Sequence, residues 1–208
     1  MLYLIIILAI GWYVTYIVKQ KYSFFKGYVG ENFVSDMLIN IDPTRYKVLN
    51  NLMLPSFGKT TTTQIDHVVI SNFGIFCIET KSYSGWIFGK AQQTYWTQVI
   101  YRYKKRFYNP LRQNFAHIRA IEAVLESTFP QIKVLGFIAF PSADKLEITG
   151  TDAVGDTADV VGKIKAYTLP ILSDTDRDNI VALLKRADIT DKSLRKQHNT
   201  QVRRLRAN

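Results

Sequence analysis

Residues 64–85 read QIDHVVISNFGIFCIETKSYSG. Two apolar runs, Val68–Ile70 and Ile75–Ile78, flank SNFG, where Asn72 and Gly74 suit the backbone angles of a tight turn. This is a β-hairpin, and a hairpin dictates which of its side chains meet. A loop of two residues (72 and 73) or four (71–74) sets Asp66 directly opposite Glu79, with Cβ atoms about 4.5–5.5 Å apart. Lys81 stands two residues beyond Glu79 and shares its face. A three-residue loop slips the register by one and turns Asp66 to the other face. Three ionisable groups on one patch therefore depend on the parity of the loop.

Two carboxylates so close repel, so one takes up a proton or a cation sits between them. Carboxylate oxygens suit Mg²⁺ or Mn²⁺. Such an ion polarises a phosphate oxygen and acidifies a bound water, and Lys81 would orient that water or offset charge on a phosphorane. The plainer reading is a surface salt bridge of Lys81 with Glu79 or Asp66, worth about 0–1 kcal/mol. His67 points to the opposite face of its strand and reads as a hydrogen-bonded structural histidine. Cys77 is the single cysteine, which rules out an internal disulfide; within an apolar run it reads as a buried thiol.

Helical spacing over residues 26–42 (Val29, Phe33, Val34, Met37, Leu38, Ile41) predicts a helix ended by Pro43. Strands are expected over 45–54, 85–91 and 94–103, with a polar turn over 55–62. Asn109 and Pro110 suit the N-cap and first position of a helix whose stripe is Leu111, Phe115, Ile118, Ile121, Val124 and Leu125. The run IKVLGFIAF (132–140) suits a strand covered on both faces, and a capped helix follows over 174–189. Strands mixed with helices give an α/β or α+β domain.

Residues 2–18 carry no charge and would span roughly 26 Å as a helix. Trp12, Tyr13 and Tyr16 gather toward the end of this run, and Lys19, Lys21 and Lys26 follow it. That is the pattern of a membrane anchor with its N-terminus outside and the bulk of the chain in the cytoplasm. A cleaved signal peptide and a buried core helix are the alternatives. The expected organisation is an anchor over 1–21, a domain over 22–188, and a mobile basic tail over 189–208.

The net charge is +10 in 208 residues, which points to a polyanionic partner. From Thr80 to Ile121 there is no acid, and besides Lys81 the segment carries Lys90, Arg102, Lys104, Lys105, Arg106, Arg112 and Arg119, interleaved with aromatic residues. Cations neutralise phosphates and rings stack on bases, so this is the expected nucleic-acid grip. A solvated hairpin that guards an edge strand is the alternative. The tail would bind nucleic acid or anionic lipid.

Five segments, YVGENFVSDML, YKVLNNLML, TQIDHVVISNFGIFCIETKSYSGWIFG, YWTQ and FYNPLRQNFAHIRAI, agree in order and spacing with the nuclease-related domain (NERD) family over about residues 27–125. That family is similar to the PD-(D/E)xK nucleases. The resemblance implies a central mixed sheet flanked by helices, as in restriction endonucleases. It implies catalytic roles for Asp66, Glu79, Lys81, Gln113 and Glu31, with Asp66, Glu79 and Glu31 holding Mg²⁺ or Mn²⁺. Read from the residues alone, Glu31 is an acid favoured by a helix N-terminus, Gln113 a surface or capping amide, and His117, one turn after Gln113, a plain helix residue or a substrate contact. The expected function is a membrane-anchored, metal-dependent nuclease acting on DNA, or RNA, at the cytoplasmic face of an inner or plasma membrane. The alternatives are a non-catalytic tethered binder of nucleic acid or lipid, and an interaction protein whose acids form only salt bridges.

Overall fold

The structure, a computed structural model, describes residues 2–56 and 60–207, and within them all side chains except those of residues 2–7, 16, 19–24, 203 and 205–207. Part of the expected polar turn (57–59) lies outside the described residues. So do the side chains of Tyr16, Lys19 and Lys21 in the expected anchor.

The anchor and the first core helix, expected as separate elements, form one helix, α1 (Leu2–Ile39). Residues 19–26 contain no proline or glycine to interrupt it, and the helix stops just before Pro43. Among the described residues no helix is long and apolar enough to cross a membrane, so the expected transmembrane helix finds no support in the fold.

Strands β1 (Tyr46–Pro55), β2 (Thr62–Ser71) and β3 (Gly74–Thr80) form an antiparallel meander. Beside β3 lie β7 (Val134–Ala139) and β9 (Val154–Gly155), both parallel, giving a mixed five-stranded sheet in the order β1-β2-β3-β7-β9. Every residue of β3 is buried, as expected of a central strand covered on both faces. On one face, Leu54, Ile65, Val68 and Cys77 pack against Ile121 and Leu125 of α2 (Pro110–Leu125) and Ile180 and Leu184 of α4 (Asp174–Ala187). On the other, Val69, Phe76 and Ile78 pack against Val34 and Leu38 of α1 and Val160 and Ile164 of α3 (Thr157–Lys165).

The three strands that follow the hairpin do not join this sheet, contrary to the expectation of one central sheet. Gly85, at φ +80°, turns the chain away; a Cβ there would stand 2.2 Å from the Val99 carbonyl oxygen. A second mixed sheet follows, in the order β6-β5-β4-β8, from β4 (Trp86–Lys90), β5 (Tyr95–Ile100), β6 (Tyr103–Tyr108) and β8 (Lys145–Thr149). Ile87, Trp96 and Phe107 on its inner face close over Ile138 and Phe140. Strands β8 and β9 and helix α3 have no expected counterpart in the sequence pattern, being short or half-polar.

The segment expected as a mobile tail is helix α5 (Lys192–Ala207) through Ala207. The Asp191 carboxylate accepts from the Leu194 amide, Arg195 bonds the Ile189 and Asn51 carbonyls and the Asp188 carboxylate, and His198 is buried against Thr62. A helix with such a docked face orders its charges, which composition alone does not reveal.

Candidate active site

The turn between β2 and β3 has two residues, Asn72 and Phe73, with Ser71 paired to Gly74 and His67 to Ile78. That parity aligns Asp66 with Glu79, as the hairpin predicts. The Asp66 carboxylate crosses to the neighbouring strand and accepts from the Thr80 amide at 2.8 Å.

Glu79 is buried at 2% exposure yet well partnered. Its Oε1 accepts from Lys81 Nζ (2.5 Å) and Gln113 Nε2 (2.6 Å), and its Oε2 from His117 Nε2 (3.0 Å). Gln113 also accepts from Lys81 Nζ through Oε1 (3.0 Å), so the amide clamps the pair from both of its ends. This is no surface salt bridge: the Lys81 and Glu79 side chains are 13% and 3% exposed. Burial opposes the Glu79 charge, but the Lys81 ammonium and the His117 bond hold its pKa down to about 2. Lys81 is likewise opposed by burial, and Glu79 and Asp66 nonetheless keep it above its ordinary value.

The other two acids respond in the opposite sense. Burial first, then the charges of Glu79 and Glu31, raise Asp66 well above the usual carboxylate range. Burial and Glu79 raise Glu31. Glu31 reaches the cluster because α1 comes very close to the loop after Lys81. The buried Gly30 leaves room for Ser82, whose Oγ would lie 1.9 Å from a Cβ there, and Ser82 donates to the Gly27 carbonyl at 3.5 Å. Three acids around one ammonium leave the cluster short of positive charge, and hard oxygen donors with raised pKa values fit a divalent cation. Among the described residues no three of His, Cys, Asp or Glu stand together as a finished metal cage.

His117 and Asn114 make contacts that the sequence pattern concealed. The expected stripe of α2 put Phe115 inside, but Phe115 is 63% exposed. The buried face is instead Asn114, His117, Ile121 and Leu125. Asn114 accepts from Cys77 Sγ and donates to the carbonyls of Cys77 and Phe137, bridging β3 and β7. His117 shares a 2.6 Å bond with Thr63 through Nδ1 while holding Glu79 through Nε2. Two polar residues at i and i+3 of a capped helix were the available signal, since a helix laid on a sheet that carries a buried Glu needs donors there. His67, on the other face, bonds Asn50 and Thr80, and burial lowers its pKa to about 4, so it is a neutral structural residue.

The basic residues divide between locations. Lys90, Lys104 and Arg106 lie at exposed positions of the second sheet, and Lys105 is exposed on β6 with the opposite parity. Arg102 lies in the β5–β6 turn. On α2, Arg112 bonds the Gln92 carbonyl and Arg119 pairs with Glu122.

The nuclease-related domain model matches residues 26–141. An uncharacterised protein of Bacillus anthracis is 38% identical over 184 residues, covering 88% of this chain and 86% of that one. No solved structure matches. The match takes in α1 from Lys26, the hairpin, the second sheet's first three strands and the helix that bears Gln113. The chain belongs to the nuclease-related domain family.

Proposed function

We propose that this chain is a metal-dependent nuclease that hydrolyses phosphodiester bonds, with DNA the expected substrate and RNA the alternative. One observation carries the reading: a buried Glu79, clamped by Lys81, Gln113 and His117, faces Asp66 across the hairpin with Glu31 beside them. Asp66, Glu79 and Glu31 would hold Mg²⁺ or Mn²⁺, which supplies Lewis acidity and acidifies a water. Lys81 keeps its proton, because Glu79 and Asp66 raise its pKa. It therefore serves as a fixed positive charge for the phosphorane rather than as a base. Gln113 holds the ammonium and the carboxylate in one orientation, and His117 secures the other carboxylate oxygen.

The test is incubation of the protein with labelled DNA and RNA in Mg²⁺, Mn²⁺ or EDTA. Cleavage with metal, absent in EDTA and lost in Asp66→Ala and Glu79→Ala, is the expected result. Salt-sensitive binding without cleavage in any metal would leave only a binding module.

A membrane tether is the second part of the proposal. The uncharged run 2–18 followed by Lys19, Lys21 and Lys26 supports an anchor that keeps the domain on the cytoplasmic side. Leu8, Ile10, Tyr13, Val14 and Val18 on α1 are all exposed, apolar surface that lipid would cover.

A further inference from the structure

We propose that the outer face of the second sheet is a stacking platform for single-stranded nucleic acid. This rests on the reading that the chain handles nucleic acid and assigns that substrate a strandedness and a docking surface outside the carboxylate cluster.

Ile87, Trp96 and Phe107 take the inner face, so Trp86, Phe88, Tyr95 and Tyr108 take the outer one. A sheet face turned to solvent is ordinarily polar. Here all four rings are exposed, Trp86 at 50%. They are neighbours: Trp86 and Phe88 centroids lie 6.2 Å apart, and Tyr95 and Tyr108 lie 6.1 Å apart. Cations are interleaved with them. Lys145 lies over Trp86 at 5.0 Å and Arg106 over Tyr95 at 4.9 Å. Lys90 and Lys104 share this parity, whereas Glu147 is the acid of the same face. Four cations against one acid give the charge that a phosphate backbone complements.

At the tip of the β5–β6 turn, Tyr101 adopts φ +52° and is 97% exposed. A bulky residue rarely holds that backbone conformation, which glycine or asparagine would take at lower cost. Strain kept at an exposed ring points to use rather than to packing.

Rings set on an open sheet meet base faces only where bases are unstacked. A duplex hides those faces, so the surface suits a single strand. Duplex grooves are read by helices or ribbons that enter them, whereas these rings lie on the face of a four-stranded sheet.

The experiment uses the full chain in EDTA, with anisotropy of a labelled oligothymidylate and of a labelled duplex. Trp86→Ala and Phe88→Ala should each weaken the single strand on the order of tenfold, the effect of losing one base–ring stack, while the duplex changes by less than about twofold. Intrinsic tryptophan fluorescence should be quenched by oligothymidylate, and Trp86→Phe should remove most of that quenching while the fold, read by circular dichroism, is retained. Equal losses for single strand and duplex, or no loss, overturn the proposal. So does a fall in molecular mass in Trp86→Ala, which would make the face an interface between copies. The two readings separate cleanly. Metal-dependent cleavage with unchanged single-strand binding in Trp86→Ala sinks the platform and spares the nuclease. Stacking without cleavage does the reverse.

Discussion

Replacing Lys81 with Met tests the electrostatic account of the site. Met preserves most of the side-chain volume, so the change is largely one of charge. Lys81 and Glu79 are 13% and 3% exposed, which makes theirs a buried pair. Removing one partner of such a pair costs about 3–5 kcal/mol, because the other charge is left desolvated. Gln113 and His117 still donate to Glu79, so the low end, about 3 kcal/mol at neutral pH, is expected. The pH dependence sharpens the test. In the native protein the Glu79 carboxyl sits at about 2, below its ordinary 4.5, so its contribution is present above that ordinary value and is lost as pH falls toward 2. Without Lys81 the strongest influence holding that value down is gone, so the folded value moves up from about 2 and the stability gained above the ordinary 4.5 shrinks. The two stability curves must therefore diverge with rising pH. Urea denaturation at acid and neutral pH, followed through the buried Trp96, measures the gap. A penalty under about 1 kcal/mol at neutral pH, or one equal at both pH values, would refute the reasoning.

Asp66→Asn should abolish metal-dependent cleavage yet raise stability in metal-free buffer at neutral pH. Its carboxyl is raised in the fold, so ionisation there costs stability, while Asn still offers an oxygen to the Thr80 amide; a less stable variant would contradict this. For the tether, full-length protein should sediment with membranes and be released by detergent but not by high salt. Deletion of residues 1–21 should send it to the soluble fraction, and an unchanged distribution would sink the anchor.

Much of the site was legible because it is local. The hairpin follows from SNFG and two apolar runs, while the parity of its loop, open in the sequence, is set by the two-residue turn that brings Asp66 opposite Glu79. Asn109 caps α2 as the sequence indicates, its side chain accepting from the Leu111 amide. Where long-range packing chooses between surfaces, the pattern misled. Phe115 belongs by periodicity to the buried stripe, but α2 rotates so that Asn114 and His117 meet Cys77 and Glu79. Leaving those buried sheet groups without donors would cost more than exposing one ring. The split into two sheets was hidden as well, since Gly85 and the shape of Trp96 over Gly89 act only once distant strands are in place.

The carboxylate–lysine patch, then, is a property of strand alternation over some twenty consecutive residues, and any chain with that hairpin would carry it. The charge state of the patch is not. Glu79 is held ionised against its burial by Lys81, two residues on, and by His117, which α2 delivers from thirty-eight positions on. Asp66 and Glu31 are raised because α1 packs close against the loop at Ser82 and burial withdraws water from both. Backbone periodicity is a short-range constraint written in sequence, whereas desolvation and distant donors exist only after the layers have closed.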